Sequence, residues 1–446
     1  MLLAILSVLY ILGFLVYFLK RDIILYYYIV WSIFAPYVSS FVLFDRPMTL
    51  IVGGQANYFL VLIFLINSLR FKSLIVDLKT VKLLIAISFF LLIAIAVNSV
   101  SPVFYLKWFI SNIVPIYLVV SIQKTLHTSL KSLTRFVLFM LLVQLIVGFC
   151  QYYTTFLFVS PLYALSDSGI ALFTSRFFGT FPGENAMAAF VSICILILIF
   201  EFTFKNNFFK NLIILFSCIL AYYAILVSGI RTYLILIIVF SFIILYIKAD
   251  TVKTKALVLA TIGVSFVVIS SFLIVSSYGT DKSSESGIER QINGISSLKD
   301  GNAEESTLFY SFYMLEEYYY PIDLFGKGLL NTKNGYGLIR LDDSTSADVT
   351  DATLAVYLVE FGIILLILFI YYYYYLTCAC VRSLNRKNAL FRMAVFSFYL
   401  ISTITDAGIF NIVVMSLLAM YSIVTSSPNK LLKSYNNENY RNRRGS

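Results

Sequence analysis

The chain has 446 residues, 60% of them hydrophobic and only 13% charged, with a formal net charge of +10. A soluble protein of this length would be about 25% charged, so the composition excludes an ordinary soluble domain. The apolar residues come in blocks of about 17–25, the length a helix needs to cross ~30 Å of hydrocarbon, rather than the ~10-residue alternating segments of a β-barrel.

The first block, residues 2–19, has no basic residue before it and no small-x-small site after it; Lys20 and Arg21 follow instead. It therefore reads as a retained helix rather than a signal peptide. Further spans are expected at 23–44, 49–69, 81–98, 104–122, 134–159, 184–204, 211–229, 231–248, 256–277, 351–376, 389–405 and 408–425, the last two separated by a tight turn at Asp406, Gly408 and Asn411. The expected fold is all-α, a polytopic membrane protein of about 12–13 transmembrane helices. Residues 1–277 carry ten helices, 278–350 form a large loop, 351–425 hold the C-terminal helices, and 426–446 are a basic tail.

Charge fixes the expected orientation. The loops at 20–22, 70–82, 123–135, 205–210, 248–255 and 382–392, with the tail, hold 23 of the 33 Lys and Arg. Basic residues favour the cytoplasmic side, so these loops and the C-terminus are expected there, with the N-terminus and loop 278–350 outside. Topology thus accounts for the basic excess without nucleic acid as a partner. Tyr26–Tyr28 and Tyr371–Tyr375 sit at span ends and read as interfacial anchors. The five cysteines, Cys150, Cys194, Cys218, Cys378 and Cys380, show neither a disulfide framework nor zinc spacing. Cys378-x-Cys380 reads as lipid-facing or as filler at a helix end. Mid-span acids are scarce, Glu201 and Asp406 lying near span ends.

The 278–350 loop has 73 residues, twelve of them acidic and six basic. It is too polar to cross a membrane and too long for a connector. Within it, 303–320 has helical periodicity, with Leu308, Phe312, Leu315 and Tyr319 on one stripe, and Pro321 ends it. Gly326, Gly328, Gly335 and Gly337 mark an irregular stretch after it. Tyr310, Tyr313, Tyr318, Tyr319 and Tyr320 suit stacking on sugar rings or packing on the membrane surface equally well.

Three arginines are expected on the outer side: Arg176, just before a span; Arg231, between two spans with almost no loop; and Arg290, in the large loop. Arginine close to hydrocarbon is costly and usually faces a protein interior or a polar pathway, although it can also snorkel to headgroups. Its planar donor fork suits phosphate, so the three together could converge on a diphosphate.

These segments resemble the O-antigen polymerase and ligase superfamily. Arg176-Phe177-Phe178-Gly179-Thr180-Phe181, continuing to Asn185 and Ala188, is similar to that family's R-x-x-G-x-F-x-x-x-N-x-x-A stretch. Ser228-Gly229-Ile230-Arg231-Thr232 is similar to its S-G-S-R-T turn. Leu324-Phe325-Gly326-Lys327-Gly328, then Asp351 and Val359-Glu360-Phe361-Gly362, resembles its pattern after the large loop. The similarity covers residues 170–365; the first third of the chain shares only its hydrophobicity.

The resemblance implies a GT-C-like membrane glycosyltransferase of the bacterial cytoplasmic (inner) membrane. Its donor would be an undecaprenyl-diphosphate-linked oligosaccharide, its setting membrane lipid, and a chain-length regulator a candidate partner. Arginines would offset the charge building on the leaving diphosphate, so neither metal nor cofactor is required. A carboxylate would take the acceptor hydroxyl's proton. The ligase branch carries an external histidine, whereas the single histidine here, His127, falls in a basic loop expected in the cytoplasm. The histidine's usual position, counted back from Gly362, falls on Asp351. Polymerase is therefore preferred over ligase, with Asp351, Glu316 and Glu317 as candidate bases and Asp348 as a further competitor. Asp351 reads more readily as an acid complementing a helix dipole than as the base. Some polymerases of this type carry Arg-x10-Gly in external loops; Arg290 with Gly301 has that spacing and Arg176 does not. A flippase of lipid-linked sugars stands as the alternative from another class; it would be expected to carry charges deep in its spans.

Overall fold

The computed structural model describes residues 1–43, 46–71, 78–98, 101–126, 128–154, 177, 179–181, 184–202, 208–228, 230–251, 253, 255–256, 324–326, 328, 353–379, 386–402 and 412–425. Among them there is no strand. The helices are α1 (Leu2–Leu19), α2 (Ile24–Leu43), α3 (Arg46–Phe71), α4 (Leu78–Asn98), α5 (Pro102–Asn112), α6 (Val114–Thr125), α7 (Leu130–Thr154), α8 (Glu184–Glu201), α9 (Phe208–Ser228), α10 (Arg231–Lys248), α11 (Thr353–Tyr374), α12 (Arg386–Ser402) and α13 (Ile412–Thr425). Among the described residues, eight candidate spans are long and apolar enough to cross a membrane, one of them formed by α5 and α6 together. The chain is a polytopic helical protein of membrane type. The expected span 256–277, most of loop 278–350 and the tail lie outside the described residues.

Helices pack where small residues let backbones approach. On α1, Leu3, Val8, Ile11, Leu12, Leu15 and Phe18 face outward, while Gly13 and Tyr17 face in. A Cβ on Gly13 would stand 2.6 Å from the Phe59 ring of α3. Phe59 in turn packs with Tyr10, Tyr27 and Trp31, and Trp31 donates to the Val52 carbonyl at 2.9 Å.

The expected span 104–122 is two helices, broken at Ile113. Pro115 is the reason: it has no N–H to give the Ser111 carbonyl four residues back. Side chains satisfy the carbonyls at the break. Asn57 Nδ2 donates to Ser111 (3.4 Å), Tyr373 Oη to Asn112 (3.0 Å) and Tyr372 Oη to Ile113 (2.7 Å). Backbone polar groups at this depth have no water to turn to, so each such donor matters.

The structure corrects two sequence expectations. Tyr28, Tyr372 and Tyr373 are not interfacial anchors; they are fully buried, and Tyr28 donates to Asn57 Oδ1 at 2.8 Å. Of the two readings of Cys378, filler at a helix end holds: it is buried in a π-helical turn (Tyr375–Ala379) and its thiol donates to the Arg392 carbonyl at 3.3 Å. Mid-span acids include Glu360, whose exposure is 0%, inside α11.

Contacts define two ends of the bundle. At one end Lys248 donates to the Ile199 carbonyl (3.2 Å), Lys387 pairs with Asp250 and donates to the Lys248 carbonyl, Tyr421 donates to Glu201 (2.5 Å), and Asn388 donates to Thr425 (3.3 Å). Lys79 lies over the Tyr375 ring at this end too. The first turns of α8, α10 and α11 lie at the opposite end, where α7 and α9 finish.

Candidate functional site

The opposite end is where the sequence motifs gather. The turn after Arg176 is fixed to α7 by three residues at i, i+4 and i+7, which share one helix face. Gln144 accepts the Thr180 N–H at 2.9 Å and donates to the Thr180 hydroxyl at 2.6 Å. Gln151 donates to the Gly179 carbonyl at 2.7 Å. Between them Gly148 leaves the space that the Phe177 ring fills, within 2.8 Å of where a Cβ would stand. Gly179 has φ +60°, and a Cβ there would meet Gln144 Oε1 at 2.5 Å. Glycine is therefore demanded twice over, by conformation and by space.

Aromatic rings carry the contact onward to α9. Phe149 meets Phe177 edge-on at 4.9 Å and stacks on Tyr223 at 5.9 Å, and the Tyr153 and Tyr223 hydroxyls are 3.2 Å apart. Tyr223 lies five residues before Ser228, where α9 ends. Ile230 then leads into α10 with extended backbone and no side-chain cap, and Arg231 is the first helical residue. A cation gains nothing from the positive end of a helix dipole, so helix stability does not explain an arginine at this position. Backbone N–H groups at a helix start instead suit an anion.

The third motif is a glycine clasp. α11 is broken at Gly362, whose φ of 76° and ψ of 174° are not helical. Leu324–Gly328 docks into the break: the Gly328 N–H donates to the Glu360 carbonyl at 3.2 Å. A Cβ on Gly326 would stand 2.6 Å from the Gly362 nitrogen, and one on Gly362 would stand 2.6 Å from the Leu324 carbonyl carbon. Gly326, Gly328 and Gly362 are all buried. Such backbone irregularity is tolerated at membrane depth where protein covers it. Trp108 of α5 closes one side, 4.4 Å from Phe361 and 4.8 Å from Phe369.

The residues proposed for chemistry fare unevenly. Arg231 is placed at the head of α10. Arg176 is bonded to Phe177 but, with Arg290, Asp351, Glu316, Glu317, Asp348 and His127, it lies outside the described residues. Gln144 and Gln151 were missed by sequence reasoning, and Glu360 stood there only as a member of the Val359–Gly362 motif. Two glutamines seven residues apart in an apolar span were a legible signal, since polar side chains are costly in hydrocarbon and turn inward.

No protein-family model matches the chain, and neither the curated proteins nor the solved structures supply a match. The geometry and the sequence motifs therefore carry the functional reading alone.

Proposed function

We propose that this protein is a polysaccharide polymerase of the bacterial cytoplasmic membrane. It would transfer a glycan from its undecaprenyl diphosphate carrier onto the next lipid-linked repeat unit, on the outer side of the membrane. The observation that carries the reading is that the Phe177–Phe181 turn and the Arg231 helix start lie at one end of the bundle, linked through Phe149 and Tyr223. Described lysines other than Lys107 collect at the other end, where Lys248 and Lys387 meet, and this supports placing the motif end outside. In this reading Arg176, Arg231 and Arg290 hold the diphosphate and stabilise its charge as the glycosidic bond breaks. A carboxylate, with Asp351, Glu316 and Glu317 as candidates, removes the acceptor proton.

Arg231→Ala and Arg176→Ala proteins should reach the membrane in normal amount yet make long chains at least ten times more slowly, read from the polysaccharide length ladder. Normal ladders from both variants would remove the reading.

Glu360, fully buried within α11, favours a second reading, a flippase, because charged groups within spans mark transport pathways. The stranded intermediate separates the two. Loss of a polymerase leaves single repeat units outside, capped onto the surface acceptor; loss of a flippase leaves them inside. The ligase alternative is tested by offering lipid A core as acceptor.

A further inference from the structure

We infer that Gln144, Gln151 and Thr180 are positioning residues for the diphosphate-binding arginine at position 176. The inference rests on the polymerase reading and deepens it.

Three observations support it. Gln144 and Gln151 are buried in a span of otherwise apolar character, with exposures of 0% and 5%. Polar side chains at such depth need a purpose, because leaving them unsatisfied costs more than an apolar replacement. Both glutamines bond the same five-residue segment, and Gln151 also meets Tyr37 of α2. Gln144 uses both ends of its amide on Thr180, and Gln151 binds the adjacent carbonyl of Gly179. Finally, Phe177, the residue bonded to Arg176, is locked in the Gly148 notch and is fully buried. Ring and turn are thus held at both ends of the segment. A chain needing only to pass from α7 to α8 would have no use for this bracing, since connections normally run over the surface with their backbone solvated.

The consequence is mechanistic. Arginine has a long, flexible side chain, and ordering it on a ligand has an entropic cost. Fixing the backbone beside it lowers that cost, and misplacement of a charged donor by about 1 Å can cost on the order of 10²-fold in rate. The glutamines act through Arg176 and touch no reacting atom.

The test uses the full chain in lipid nanodiscs and undecaprenyl diphosphate as the probe, so that sugar identity does not enter. Thr180→Val keeps the shape of threonine but removes the hydroxyl that Gln144 donates to; Thr180→Ser keeps the hydroxyl. Thr180→Val should weaken undecaprenyl diphosphate binding about ten-fold, as Arg176→Ala does, and Thr180→Ser should stay within two-fold of wild type. The double variant Arg176→Ala/Thr180→Val should bind no worse than Arg176→Ala alone, since a positioning residue has nothing left to position. A general packing defect would add a further loss instead. If Thr180→Val fails to fold, Gln151→Met provides the same comparison at Gly179. Weak binding by Arg176→Ala with wild-type binding by Thr180→Val and Gln151→Met would overturn the inference while leaving the polymerase reading intact. Wild-type binding by Arg176→Ala itself would remove that reading, and the inference with it.

Discussion

Replacing Gly362 with alanine should leave little folded protein, and Gly326→Ala should do the same. At Gly362 two costs add. The positive φ of 76° is one that a side chain rarely adopts, and holding a non-glycine residue there costs about 1–3 kcal/mol. The new methyl group would also drive into the Leu324 carbonyl and the Gly326 nitrogen. These are backbone atoms that cannot rotate away, and forcing extra volume into a packed site costs about 1–3 kcal/mol more. Together that is about 2–6 kcal/mol, a large share of the roughly 5–15 kcal/mol that holds a domain folded. Gly326 faces the mirror problem, with φ of 70° and the Glu360 carbonyl 2.7 Å from its would-be Cβ. Gly54→Ala is the internal control. It sits in α3 with nothing within 4 Å of its Cβ position, so helix propensity should make it neutral or slightly stabilising. Fluorescence-detected size exclusion after a heat step reads all three. Equal recovery of Gly362→Ala and Gly54→Ala protein would show that the clasp is not tight.

The clasp bears on function because of what it joins. Leu324–Gly328 belongs to the long polar segment between the tenth and eleventh described helices, and its docking ties that segment to the membrane bundle at the α11 break. In the polymerase reading the segment supplies the acceptor side and candidate bases, while Arg176 and Arg231 supply the donor side. In that reading the docked glycines would fix one point of the loop relative to the helices proposed to hold the diphosphate. Bringing reactants into register is where much of such a catalyst's rate enhancement lies.

Much of the fold was legible from hydrophobicity alone. The expected spans 2–19, 231–248 and 211–229 fall on α1, α10 and α9 within a few residues, because a run of about 20 apolar residues has few alternatives in a bilayer. What escaped was what hydropathy averages over. A proline at position 115 does not lower the hydropathy of its span, yet it splits that span in two. A tyrosine counts the same whether it faces lipid headgroups or a carbonyl at a helix break, so the inward turn of Tyr372 and Tyr373 had no one-dimensional signature. At the site, Gly179, Gly326 and Gly362 stood out as residue types, but the reason for each is a contact with a segment 34–38 residues away in sequence for the last two and with another helix 35 residues away for the first. Arg231 was legible because its turn is so short. Gln144 and Gln151 were legible in principle, through their cost in hydrocarbon.

Arg392 shows the same blindness at the other end of the bundle, and yields the second large effect. The basic residues at 382–392 read as one loop, yet Arg392 lies in the second turn of α12 with only 1% exposure. Its Nε donates to the Asn388 carbonyl at 3.3 Å and its Nη1 to the Ser422 carbonyl of α13 at 3.5 Å. Its own carbonyl accepts the Cys378 thiol, and Ser422 donates to the Thr377 carbonyl, so the guanidinium sits where α12, α13 and the π turn after α11 meet. Arg392→Met should therefore cost about 1–3 kcal/mol, the range for leaving buried acceptors, here the Asn388 and Ser422 carbonyls, without their donor. Arg392→Lys should recover less than half of that, because an ammonium cannot reach two carbonyls with a planar fork. Thermal midpoints in one detergent measure both. A midpoint for Arg392→Met equal to that of wild type would sink the assignment. The folded fraction of Arg392→Met should still bind undecaprenyl diphosphate with wild-type affinity, since the bolted turn and Arg231 lie at the far end of the bundle. In the polymerase reading Arg392 acts on stability alone, whereas Thr180 acts on ligand affinity.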